Sequence, residues 1–117
     1  MAKFLILARD TGVRRDMSPE SMQAVIQRYR AWTENLQKAG RLSLANKLKD
    51  NEGRVLKRQG GKLAVTDGPF TESKEIVGGF WVVDAKTYDE VLEFTRDHPH
   101  LEVGTLEIRQ FHDFPAK

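Results

Sequence analysis

Phe4-Leu5-Ile6-Leu7-Ala8 is apolar at every position, and so is Phe80-Trp81-Val82-Val83. Successive side chains of a strand leave on opposite faces, so strands of this kind need cover on both sides. No other feature constrains the fold as much, because the rest of the chain offers little cover. Its 117 residues are the length of one domain, here taken as residues 1–117. Two segments show the apolar recurrence of an amphipathic helix. The first opens at Ser18-Pro19-Glu20, with a good N-cap, a proline suited to the first helical position and an acid at the positive helix end. Met22, Val25, Ile26, Tyr29, Trp32 and Leu36 follow at helical spacing, and Gly40 supplies the stop. The second is capped by Asp84 or Thr87, carries Tyr88, Val91, Leu92 and Thr95 on one face, and is stopped by Pro99.

The remaining segments are extended. Lys3 to Arg9 and Ile76 to Asp84 are the doubly apolar strands, and Leu42, Leu44 and Leu48 mark another. Val55 to Gln59 and Lys62 to Thr66 flank Gly60-Gly61, a two-residue hairpin turn. In the last strand, Thr105 to Phe111, Leu106 and Ile108 alternate with Thr105, Glu107 and Arg109. The order β-α-β-(hairpin)-β-α-β predicts an α+β, ferredoxin-like antiparallel sheet with two helices on one face plus a β-hairpin insertion. Two helices cover one face only. The other face calls for a second copy of the chain, and a homodimer whose sheets enclose a barrel-like interior follows, with Trp81 or Phe80 in the interface.

Composition removes several function classes. The chain has no cysteine, which excludes a disulfide scaffold, a cysteine metal site and a thiol nucleophile, and suits a reducing cytoplasm. Lys and Arg exceed Asp and Glu by 19 to 17, and the basic residues are dispersed rather than clustered, which argues against nucleic acid as a partner. The apolar start runs only from Phe4 to Ala8 before Arg9, too short for a signal sequence, and no stretch is long enough to span a membrane. His98-x-His100 is a weak hint of metal, without an HExxH pattern, and neither metal nor cofactor is expected.

Asp67-Gly68-Pro69-Phe70-Thr71-Glu72-Ser73-Lys74-Glu75, followed by Gly78-Gly79-Phe80, resembles the signature of the DGPF-domain branch of the YCII-related proteins, within the dimeric α+β barrel superfamily. The likeness runs from the Ser-Pro-Glu helix opening to the closing Leu106-Glu107-Ile108-Arg109. It implies a ferredoxin-like fold and face-to-face dimers. It also implies a bacterial protein, in a group often encoded near extracytoplasmic-function sigma factors, which hints at a regulatory role. Relatives that look enzymatic carry a His on the first helix paired with an Asp. Counted back from Gly40, that His falls at about Tyr29 here, and no His precedes residue 98.

The candidate site residues each have a plainer alternative. Asp67 precedes Gly68-Pro69; it either holds the loop through backbone N–H groups or moves a proton as a catalytic carboxylate. Glu72, Lys74 and Glu75 are either a solvated charge run or an acid and an ammonium that act together. Glu75 is the preferred catalytic member, because its parity matches Val77, Gly79 and Trp81. Gly78-Gly79 inside a strand calls for a bulge, a close packing contact or room for a ligand. Arg109, Arg9 and Lys74 are the candidate anion holders, and an Arg109–Glu107 pair that pins the dimer is the alternative. Trp32 and Trp81 are core or interface aromatics, and Trp81 is a candidate substrate contact. These expectations give a pocket near sheet and interface that binds or transforms a small anionic or aromatic metabolite. The alternative is a non-catalytic binding or regulatory module.

Overall fold

A computed structural model describes residues 1–10, 18–49, 52–68 and 76–113. The order is β1 (Ala2–Asp10), α1 (Pro19–Lys38), β2 (Leu42–Lys47), β3 (Arg54–Gln59), β4 (Lys62–Asp67), β5 (Ile76–Ala85), α2 (Tyr88–Thr95), a short 3-10 helix (Pro99–Glu102) and β6 (Thr105–Gln110). β2, β5, β1 and β6 form one antiparallel sheet in that order, and β3–β4 form a separate hairpin. This is the ferredoxin-like plan, with both helices on one face.

Local chemistry accounts for the ends. Ser18 Oγ accepts the Ser21 N–H at 3.1 Å at the start of α1, and Thr87 Oγ1 accepts the Glu90 N–H at 3.2 Å at the start of α2. Gly60 and Gly61 both have positive φ, 57° and 80°, the conformation that a two-residue turn needs to match strand twist.

The core lies between sheet and helices. Phe4, Ile6 and Ala8 of β1 and Trp81, Val83 and Ala85 of β5 are buried there with Leu36 and Val91, and Leu106 and Ile108 of β6 pack against them. The opposite parity forms the open face. Leu5 pairs with Val82 and Arg109, and Leu7 with Phe80 and Glu107. Leu44 of β2 pairs with Val82 and is exposed.

Two ladder irregularities alter the simple alternation. Between Ala8 and Arg9 the partner on β5 jumps from Gly79 to Val77, leaving Gly78 as the extra residue of a bulge. Parity counted upstream from Trp81 therefore does not carry through Gly78, and the reason given for preferring Glu75 fails there. Glu75 itself, with Lys74 and Glu72, lies outside the described residues. The second irregularity, at Ser43, lets Leu42 pack against the core while Leu44 lies on the open face. Gly79 is a close-packing glycine: a Cβ there would stand 3.2 Å from the Asn46 carbonyl oxygen.

Candidate functional site

The bulge leaves Gly78 and Gly79 at one wall of a cleft of about 520 Å³ between α1, β2 and β5. That volume is in the range of sites for small molecules. Ile26, Tyr29 and Thr33 of α1 line it together with Trp81 of β5, and Arg30, Glu34 and Lys47 also line it. Trp81 is only 6% exposed. Its indole Nε1–H donates to Thr33 Oγ1 at 2.9 Å, and Thr33 Oγ1 donates to the Tyr29 carbonyl oxygen at 2.8 Å. Buried indole and hydroxyl groups are thus satisfied, which fixes the wall of the cleft.

Behind Tyr29 lies a pair of buried histidines. The 3-10 helix turns directly after His98, with Pro99 at its first position, and carries His100 inward. His100 is fully buried and His98 is 2% exposed. His98 Nδ1 accepts the His100 backbone N–H at 3.0 Å. The His98 ring packs on Trp32 and Trp81 with centroids 4.2 and 4.4 Å away, and its Nε2 has no hydrogen-bond partner among the described residues. Burial pushes the His98 imidazole down to about 3; the nearby His100 adds to the shift and Asp97 opposes it. His98 is therefore a neutral core aromatic. His100 is held at both ring nitrogens, by Tyr29 Oη at 2.7 Å on Nδ1 and by the Arg9 carbonyl oxygen at 2.8 Å on Nε2. Among the described residues, no group of three or more His, Cys, Asp or Glu is placed to hold a metal ion.

The residues singled out from sequence are divided among separate places. Arg9 lies at the end of the open face, with its guanidinium 2.7 Å from Glu107. Arg109 is on the same face, 3.9 Å from Glu107, and mostly exposed. Trp81 is on the opposite face, so an interface across the open face takes Phe80 and not Trp81. Asp67 ends β4 in the hairpin, with its side chain 92% exposed and 3.4 Å from Arg54. The fold thus gathers Arg9 and Arg109 around Glu107, and brings neither Asp67 nor this cluster to the cleft. The sequence alone offers the His pair as a weak metal hint with His98 at a helix end, and Tyr29 as an apolar-face residue of the first helix at the place of a His in relatives; it does not bring them together. The available signal was His-Pro-His behind a short helix, where proline starts a new turn.

A four-stranded antiparallel sheet, two helices on one face, an inserted hairpin and a cleft at the helix–sheet boundary define an α+β protein of the ferredoxin-like fold. The chain belongs to the YCII-related domain family, whose model matches residues 2–115. It is 31% identical over 112 residues to the uncharacterized protein R00369 of Rhizobium meliloti (strain 1021), covering 93% of this chain and 90% of that protein. Among solved structures it resembles 5-chloro-2-hydroxyhydroquinone dehydrochlorinase (TftG) from Burkholderia phenoliruptrix AC1100, in complex with 2,5-dihydroxybenzoquinone. The TM-score is 0.50 at 21% identity, over 94% of this chain and 93% of that one. At that identity the likeness is one of fold. No helix is long and apolar enough to cross a membrane among the described residues.

Proposed function

We propose that the chain binds a small aromatic or anionic molecule in the cleft between α1, β2 and β5, as a homodimer closed over the open face of its sheet. The composition of the cleft carries this reading: Tyr29, Trp81 and Ile26 supply an aromatic and aliphatic wall, and Arg30 and Lys47 supply two cations against the one carboxylate of Glu34. A flat, weakly anionic ring fits both features, stacking on the wall while the cations hold its charge. That a protein of the same fold holds a small quinone agrees with it. In the dimer, Leu5, Leu7, Phe80 and Val82 meet their copies, and the Arg9–Glu107–Arg109 cluster lies in the enclosed interior. There it serves to pin the subunits or to hold a second anionic group.

Titration with benzoate and with para-nitrophenol tests the cleft, read by tryptophan fluorescence and by the thermal midpoint. Both ligands are expected to quench Trp81 and to raise the midpoint. Lys47→Met combined with Arg30→Met is expected to weaken benzoate about tenfold, which corresponds to about 1.4 kcal/mol. No fluorescence or midpoint change at millimolar concentrations of either ligand would remove the cleft as an aromatic-anion site.

A further inference from the structure

His100 has a fixed proton arrangement, set by its two partners. The Arg9 carbonyl oxygen on Nε2 can only accept, so Nε2 carries a hydrogen. In the neutral ring, Nδ1 then presents a lone pair, and Tyr29 Oη–H donates to it over 2.7 Å. In the imidazolium, Nδ1–H donates back to Tyr29 Oη, while the Nε2–H to carbonyl bond stays as it is. Both protonation states use the same heavy-atom positions, so the proton can cross between Tyr29 and His100 with no rearrangement of the protein. Preorganisation of this kind is the structural requirement for fast proton transfer.

Three further features belong to the same device. Gly104 keeps the room it needs: a Cβ there would stand 2.1 Å from the Arg9 carbonyl oxygen and 2.7 Å from His100 Nε2. The Arg9 carbonyl sits where the β1–β5 ladder shifts register, and there it accepts from a side chain. Tyr29 lines the cleft whereas His100 is fully buried behind it, so the route from the cleft to the imidazole runs through the Tyr29 hydroxyl.

We infer that Tyr29 and His100 form a proton-transfer pair serving the cleft, and that its ligand is a compound with a weakly acidic hydroxyl, a phenol or an enol. The inference rests on the cleft being the binding site. In the step, the ligand hydroxyl gives its proton to Tyr29 Oη as Tyr29 passes its own to His100 Nδ1. The ligand O–H bond breaks and an Nδ1–H bond forms. The ligand becomes an oxyanion hydrogen-bonded to the Tyr29 hydroxyl, near Arg30 and Lys47, and His100 becomes an imidazolium. Charge is conserved and no redox partner is involved; the reverse step returns the proton. Tyr29 is the catalytic residue of the pair. His100 acts through it as the positioning residue and proton store. Groups that face His100 include Tyr29 from α1, His98 from the preceding turn and the Arg9 backbone from β1, with the Asp10 side chain beside Gly104 and the Arg28–Glu102 ion pair on the adjoining surface.

The probe is para-nitrophenol, whose phenolate absorbs in the visible, added to the full chain at a pH below its own ionisation midpoint. Binding is expected to lower that midpoint by about one unit, tenfold in the ionisation constant. The His100 ring is expected to show an imidazolium signature in nitrogen-15 NMR on binding. Tyr29→Phe, which keeps the ring in place, is expected to bind the dye but lose the midpoint shift and the imidazolium signal. His100→Gln is expected to lose the shift with the Tyr29 hydroxyl still present, which separates proton uptake from simple hydrogen bonding. If wild type and Tyr29→Phe bind alike and ionise the dye alike, the pair is overturned while the cleft stands. If His100→Gln keeps the shift, His100 has no part in it. If the wild type does not bind the dye, both the pair and the cleft are overturned for this ligand class.

Discussion

Acid should destabilise this protein earlier than its carboxylates alone require, through His98. In the unfolded chain the imidazole titrates at about 6.5, and in the fold burial against Trp32 and Trp81 holds it down to about 3. Between those values the unfolded state binds the extra proton, so stability falls as pH falls. The loss starts as pH drops below 6.5 and saturates below about 3, with a ceiling of about 5 kcal/mol at 1.36 kcal/mol per unit. On going from about pH 7.5 to about pH 5 the loss already amounts to about 2 kcal/mol. The carboxylates of Asp84, Glu90 and Glu102 are held below their ordinary values by hydrogen bonds from Lys3, Arg41 and Arg28 respectively. They lose stability in the same direction but mostly at lower pH, below the window in which His98 acts.

Urea unfolding at fixed protein concentration, followed by tryptophan fluorescence, measures this directly. A loss of about 2 kcal/mol moves the midpoint down by about 1 M urea. Trp32 and Trp81 both pack on the His98 ring, so the native signal reports the same site. His98→Gln cannot charge, and its midpoint should move by less than half as much over the same pH interval, whatever its stability at neutral pH. Equal pH dependence in wild type and His98→Gln would show that His98 is not held neutral by burial, and would refute the reasoning.

Gly104→Ala should lower stability by at least about 2 kcal/mol in thermal or urea unfolding, because its Cβ meets the Arg9 backbone oxygen at 2.1 Å and no side-chain rotation relieves it. Gly40→Ala, which meets nothing but must keep φ at 73°, should lose only about 1 kcal/mol. For the open face, light scattering of the wild type should give twice 13.4 kDa, and Phe80→Lys should give a folded chain of 13.4 kDa, since Phe80 pairs with Leu7 at the centre of that face. A wild-type monomer at micromolar concentration would remove the dimer.

The parts of the fold that local chemistry determines were legible in the residues. Ser18, Thr87 and the Gly60-Gly61 turn act within a few positions of themselves, and each stands where its type demands. The faces of β6 and of β1 from Phe4 to Ala8 followed from strict alternation over regular stretches of ladder. Alternation failed at Gly78, because a bulge inserts one residue and flips the count beyond it. The site was harder to read. Tyr29 and His100 are 71 positions apart, and nothing local tells that the turn after α2 folds back onto α1. Position alone suggests Pro99 as the stop of the second helix; α2 ends earlier, at Thr95, and Pro99 opens the 3-10 helix that carries His100 inward. The signature from Asp67 to Glu75 is described only at Asp67 and Gly68, and there the Asp67 side chain is solvent-exposed at the hairpin end.

Arg9 is where the two halves of the proposal meet. Its carbonyl oxygen holds His100 on the helix side of the sheet, and its guanidinium holds Glu107 on the open side. One residue can serve both because the ladder shifts register at its position and the backbone there leaves the regular pattern. Covering the open face with a second subunit would exclude water from the Arg9–Glu107 pair and strengthen it. A stiffer Arg9 would in turn hold the carbonyl that fixes the His100 tautomer. On this argument Glu107→Gln in the dimer should reduce the para-nitrophenol midpoint shift without weakening the binding of the dye. A shift unchanged in Glu107→Gln would mean that the two faces of the sheet act independently.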